Sequence, residues 1–196
     1  LTSTKPELEY FIDDTAASTL SFDASTAAVL GPIAAARGIR GSPYENLLAS
    51  RAAGLPEVTS ERRAMILYTS GTTSRPKGVV TTHANITAQI VSLVEAWEWS
   101  ADDIILLCLP LHHVHGIINV VSCALWSGAT CRMLPGFDAK MVWDRIADGR
   151  ITLFMAVPTV YAKLITAWDA ASPARRADHG EGRRGTRVPR RVLVGM

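Results

Sequence analysis

The chain has 196 residues, 48 % of them hydrophobic, and 20 basic against 18 acidic side chains give a formal charge of +2. That length holds one domain with a sizeable core, and that composition excludes an intrinsically disordered chain. The charge is uneven: residues 170–196 carry seven arginines against Asp178 and Glu181, so the rest is mildly acidic and offers no nucleic-acid footprint.

In chain order, Lys5 to Thr15 reads as a helix with Leu8, Phe11 and Ile12 on one stripe. A short strand near Ser18–Phe22 and a helix near Thr26–Ala36 follow. Gly38 to Arg63, rich in Gly, Pro and Ser, reads as irregular surface chain. Ala64–Thr69 is a short apolar strand, Gly71–Gly78 a loop, and Val79–Val80 extended chain. Thr82 caps a helix in which Ile86, Ile90, Leu93, Val94 and Trp97 recur at three and four. Ile104–Leu109 is an unbroken strand. Ile117, Ile118, Val121, Ala124 and Leu125 form the next helical stripe, and Gly128 stands at its C-cap. Ala129–Leu134 is a strand, Asp138 caps a helix ending at Gly149, and Ile151–Val157 is another strand. Pro158 opens a helix carrying Tyr161, Leu164, Ile165 and Trp168. Arg191–Val194 starts one more strand. Strands that are apolar throughout and alternate with helices predict an α/β fold with a doubly wound, parallel sheet. Ligands of such sheets sit beyond the carboxyl ends of the strands.

Cys108, Cys123 and Cys131 each sit in an apolar run without metal-ligand spacing, which predicts buried reduced thiols and a reducing, intracellular compartment. Ile104 to Cys131 carries no Asp, Glu, Lys or Arg. Pro110, His112, His113, His115, Asn119 and two glycines interrupt it, and the remaining apolar piece is too short to span a bilayer, so no integral membrane segment is expected. The three histidines have no carboxylate or cysteine at a helpful spacing, and alternate residues of a strand diverge, so no metal site is expected there. The arginine-rich tail reads as a solvated loop.

The most informative stretch is YTSGTTSRPKGVVTTH, residues 68–83. Gly71 and Gly78 allow a close backbone approach. Thr69, Ser70, Thr72, Thr73 and Ser74 supply hydroxyl donors, successive backbone N–H groups form an anion nest, and Lys77 adds a compact positive charge. Together these suit a triphosphate. The stretch departs from a Walker A loop, because Lys77 follows Pro76 and precedes Gly78. Composition alone also allows an ordinary polar turn holding a lysine.

YTSGTTSRPKG resembles the phosphate-loop signature of the adenylate-forming, AMP-binding family, which includes acyl-CoA synthetases. LPLHHVHG, residues 109–116, resembles that family's PLFHVxG segment. The passage from Gly128 to Leu164 resembles its strand–helix–strand tract ending in VPT. RVLV resembles the start of the strand that leads to its adenine-contacting turn. KPELEYFIDDTAAS resembles an upstream helix and strand. Residues 38–62 and 170–190 match nothing. HHVHG and LEYFIDD are most similar to the malonyl-CoA synthetase branch, mitochondrial members included.

The resemblance implies part of the large N-terminal domain of the adenylate-forming fold, with 1–196 a partial AMP-binding domain. It implies ATP-dependent activation of a carboxylic acid, best malonate or a related short dicarboxylic acid, and transfer of the acyl group to coenzyme A, with Mg²⁺. The matrix of mitochondria or the cytoplasm would house it. Thr69, Ser70, Gly71, Thr72, Thr73 and Lys77 fall on the family's phosphate-binding positions. Ser74 stands where the pattern has glycine, and a positive φ there costs a serine about 1 kcal/mol. His113 falls on the family's catalytic histidine at the border of the acyl pocket, although composition alone favours a structural imidazole there. His115, and Arg191 or its neighbour Arg190, are candidates for binding a second carboxylate. The expected partners are the acid, ATP and coenzyme A.

The family's Ser-Gly-Gly/Ser-Ala turn, its Glu-bearing motif, its ribose-binding Asp and its C-terminal lysine domain have no counterpart in these 196 residues. A fragment cut at both ends, with no thioester formation by the isolated chain, is therefore expected. The alternatives are a medium- or long-chain fatty acid or aryl acid ligase, or a truncated non-catalytic nucleotide-binding protein.

Overall fold

The computed structural model describes residues 3–49, 54–69, 75–176 and 191–194. The chain divides into two compact units, Leu1–Glu57 and Val58–Met196.

The first unit is built from helix α1 (Lys5–Asp14), strand β1 (Thr19–Phe22), helix α2 (Ala27–Ala36), strand β2 (Arg40–Pro43) and helix α3 (Tyr44–Leu48). Thr4 and Glu7 form a reciprocal capping box at the start of α1, which satisfies N–H groups the helix leaves open. β1 and β2 pair in parallel, with Thr19 opposite Arg40. Ile12, Leu30 and Ile33 form the core, backed by Leu8, Leu20, Phe22 and Ile39. Residues 40–48 are therefore regular where the Gly, Pro and Ser content predicts irregular chain. Parallel pairing to β1 recruits Arg40–Pro43 despite its glycine and proline, because register with a neighbour overrides weak propensity.

The second unit opens with strands β3 (Arg63–Thr69) and β4 (Lys77–Thr82). They pair antiparallel, from Arg63 opposite Thr82 to Thr69 opposite Lys77. Lys77 and Gly78 belong to a strand, not to the predicted loop. Ile66, Val79 and Val80 are exposed, so this pair is not covered on both faces as its apolar sequence suggests. Helix α4 (His83–Ala96) follows, capped as predicted by Thr82, whose Oγ1 accepts from Asn85 N at 3.2 Å.

Next come β5 (Ile104–Leu107), a π-helix (His115–Ser122), α5 (Cys123–Ser127), β6 (Thr130–Met133), α6 (Ala139–Ala147), β7 (Leu153–Ala156), α7 (Pro158–Asp169), the single turn α8 (Pro173–Arg176) and β8 (Arg191–Val194). Asp138 caps α6, its Oδ1 accepting from Met141 N at 2.7 Å, and Gly128 ends α5 at φ 72°. All four strands are parallel, in the order β6–β5–β7–β8.

Side chains alternate across the sheet and feed two cores. Ile105, Leu107, Leu153 and Met155 join Ile90 of α4 and Ile118, Val120, Cys123 and Ala124 on one face. Leu106, Cys108, Phe154 and Ala156 join Val142 of α6 and Val160 and Leu164 of α7 on the other. The sheet is thus covered on both faces, the doubly wound arrangement that the unbroken apolar strands predict. Among the described residues no helix is long and apolar enough to cross a membrane.

Four of the five predicted stripe residues after β5, Ile117, Ile118, Val121 and Ala124, pack in the core, and Leu125 departs from it. Leu125 is 75 % exposed, while Val120 and Cys123 are fully buried. A π-turn hydrogen-bonds five residues apart instead of four, so it shifts the phase of everything beyond it. An α-helical period read straight through this segment misplaces Leu125.

Cys108 and Cys123 are buried, and burial raises both thiols to about 11. At pH 8 their thiolate fraction is then about 100-fold below that of a free cysteine with an ordinary pKa. Disulfide-exchange labelling of the native protein should be slower by about that factor at these two positions than after denaturation. Labelling of Cys108 or Cys123 at the denatured rate would refute the burial.

Candidate active site

The strand order fixes where a ligand site belongs. From β5 the chain moves outward to β6, and from β7 it moves the other way to β8. The crevice between the carboxyl ends of β5 and β7 is therefore the switch point at which open α/β sheets bind ligands. Cys108 to Val114 leaves one side of it, and Val157 and Pro158 leave the other.

His112 and His113 lie on the turn after β5. Their rings are 4.3 Å apart, tilted by 51°, and both residues are exposed. His113 is thus exposed on the turn that leaves the carboxyl end of β5. His115 is the first residue of the π-helix and is half-buried. Its Nε2 is buried with no hydrogen-bond partner among the described residues. Burial lowers its pKa, so the ring is held neutral at pH 7.

The turn is held close to the π-helix by a missing side chain. A Cβ on Gly116 would lie 2.4 Å from the carbonyl oxygen of Pro110. Glycine is required here by that approach and not by its φ. Sequence reading missed this role; the cue was a glycine six residues after a proline, across three histidines. It also missed the pairing of Gln89 with Asn119, whose side chains meet at 2.7 Å between α4 and the π-helix.

The predicted phosphate loop joins β3 to β4. Thr69 and Lys77 face each other as the last pair of the hairpin, so the chain between them is closed at its base. Both are exposed. A Cβ on Gly78 would sit 3.0 Å from Ile66 and 3.3 Å from the Tyr68 ring, which accounts for the glycine beside the lysine. Ser70, Gly71, Thr72, Thr73 and Ser74 lie outside the described residues.

Arg191 is the first residue of β8 and pairs with Leu153, which pairs with Ile105. Its backbone is therefore level with the amino-terminal half of β5, whereas His113 and His115 follow that strand's carboxyl end. The rings of His112 and His113 meet, His115 begins the π-helix two residues on, and the backbone of Arg191 stands at the start of β8. Arg190 lies outside the described residues. No group of three His, Cys, Asp or Glu side chains able to hold a metal occurs among the described residues.

The family described as AMP-binding enzyme matches residues 1–195. The mitochondrial malonate–CoA ligase ACSF3 of Bos taurus is 44 % identical over 175 residues, which takes in 84 % of this chain and 30 % of that protein. The ATP-bound crystal structure of MatB from Rhodopseudomonas palustris is similar with a TM-score of 0.77 at 31 % identity, covering 88 % of this chain and 35 % of that one. A malonyl-CoA ligase in a ternary product complex with methylmalonyl-CoA and AMP gives 0.73 at 28 % identity, over 86 % and 35 %. The chain spans about a third of the length of these relatives.

Proposed function

The chain belongs to the AMP-binding enzyme family, and from that we propose that the protein carrying it is an acid–CoA ligase for malonate or a related short dicarboxylic acid. The 44 % identity to a malonate–CoA ligase carries this reading. In the first step a carboxylate oxygen attacks the α-phosphorus of ATP, forming the acyl-adenylate and releasing pyrophosphate. In the second the sulfur of coenzyme A attacks the acyl carbon and AMP leaves.

The residues take roles consistent with their placement. Lys77, an exposed ammonium at the closed base of the β3–β4 connection, pairs with phosphate oxygens. Thr69 faces it, and Ser70, Gly71, Thr72 and Thr73 are assigned to the same cradle by the family signature. His113 stands at the switch point, where the activated acid is formed and consumed. His115 suits the second carboxylate. A buried polar atom left unpaired costs about 1–3 kcal/mol, and a carboxylate oxygen would relieve that cost. Arg191, the first residue of β8, is the second candidate for this part. Mg²⁺ bound with the nucleotide would neutralise charge on its phosphates. Reduced thiols suit the mitochondrial matrix, in keeping with the name of the bovine relative.

Pyrophosphate exchange into ATP by the full-length protein tests the reading. Malonate should drive it, and Lys77→Met should lower it on the order of 100-fold, the loss typical of one transition-state charge contact. Exchange driven by fatty or aryl acids but not by malonate would replace the substrate. No exchange with any acid would overturn the ligase.

A further inference from the structure

The π-helix begins at His115, two residues after His113. A π-turn inserts one residue relative to an α-helix and is rarely stable unaided. Two side-chain bonds accompany it here. Ser122 Oγ donates to the carbonyl oxygen of Ile117 at 2.9 Å, within the turn itself. Gln89 Nε2 of α4 donates to Asn119 Oδ1 at 2.7 Å, at mid-helix and partly buried. Around that bond, α4 and the π-helix belong to one apolar cluster with Ile86, Ile90, Ile118 and Val120.

Apolar contacts tolerate sliding and rotation, whereas a buried hydrogen bond is satisfied in one register only. We propose that Gln89 and Asn119 are a positioning pair: their hydrogen bond holds the π-turn in phase and so aims His113 and His115 at the switch-point crevice. If the turn relaxed to an α-helix, one residue of phase would be lost. The start of the helix, with its histidines, would rotate by about 100° relative to the sheet. Neither amide need touch the acid. This inference rests on the ligase reading for its kinetic test but not for its structural one.

In the full-length protein, Asn119→Leu and Gln89→Leu should each raise the KM for malonate by roughly 10-fold, because small displacements of positioning groups have effects of 10 to 100-fold. The KM for ATP should stay within about two-fold. Gln89→Glu should stay near wild type, since the Asn119 amide can turn and donate to the carboxylate. In parallel, the ring nitrogen resonances of His113 and His115 should move in both leucine variants and hold in Gln89→Glu. Equal rises in both KM values, or unmoved histidine resonances in a folded leucine variant, would overturn the proposal. If the wild type shows no acid-dependent exchange, the ligase reading fails and the histidine resonances still decide this inference.

Discussion

Gly116→Ala should lower the melting temperature by roughly 4–12 °C, corresponding to a net loss of about 2–3 kcal/mol. Two effects compete. Alanine in a helix gains up to about 1 kcal/mol over glycine by intrinsic preference. Against this, the new methyl would sit 2.4 Å from the Pro110 carbonyl oxygen. That obstacle is backbone, so it cannot swing aside as a side chain can. The turn bearing His112 and His113 has to lift, or the π-helix has to move off the sheet. The steric term wins, and its damage falls on the turn at the switch point. Thermal unfolding of the purified variant measures it. A variant as stable as wild type would show that the close approach does not exist.

Asp103→Ala should cost more, about 3–4 kcal/mol. Asp103 is 1 % exposed and stands just before β5. Its Oδ2 accepts from Ser100 N at 2.8 Å and Ser100 Oγ at 3.0 Å, and its Oδ1 accepts from Thr152 Oγ1 at 2.7 Å. Thr152 Oγ1 in turn accepts from Ile104 N at 2.9 Å. One carboxylate thus fixes the turn before β5 and, through threonine, the residue before β7. Truncation leaves those donors without their acceptor in a place water does not readily reach. Asp103→Asn keeps the shape and an acceptor oxygen, so it should lose about half as much. Urea unfolding checks both: the midpoint should fall with the slope unchanged. Thr152→Val in the Asp103→Ala background should cost less than in wild type, because only the bond from Ile104 N is left to lose. Full additivity of the two substitutions would refute the coupling.

The parallel, two-faced sheet was legible because its strands, such as Ile104–Leu107 and Leu153–Ala156, are apolar at every position. Caps were legible for a local reason: Thr82, Asp138, Pro158 and Gly128 act within three residues of themselves. The β1–β2 pairing was not, since nothing in Arg40–Pro43 signals a strand until β1 lies alongside it. The π-turn was not legible either. Its phase shift depends on a side-chain bond between residues 30 positions apart, beyond any helical period. At the candidate site, the position of His112 and His113 after a strand was legible from the apolar run that stops at Pro110. Gly116 acts through a contact that only the folded turn creates, and the offset of Arg191 from the histidines follows from strand register, which a linear motif does not carry.

The hydrogen bond from Ile104 to Thr152 joins positions 48 apart, and β6 is made before β7 although β7 lies on the other edge of β5. During synthesis at about 5–20 residues per second, β5 and β6 emerge first, and one flank of β5 waits roughly 2–10 s for its partner. Throughout that interval an apolar strand presents open backbone groups to any other nascent chain, the template on which edge-to-edge aggregation starts. Changes that slow translation between Met133 and Leu153, without altering a single amino acid, should therefore reduce the yield of soluble protein. Speeding that stretch, or supplying a chaperone that shields strand edges, should restore it.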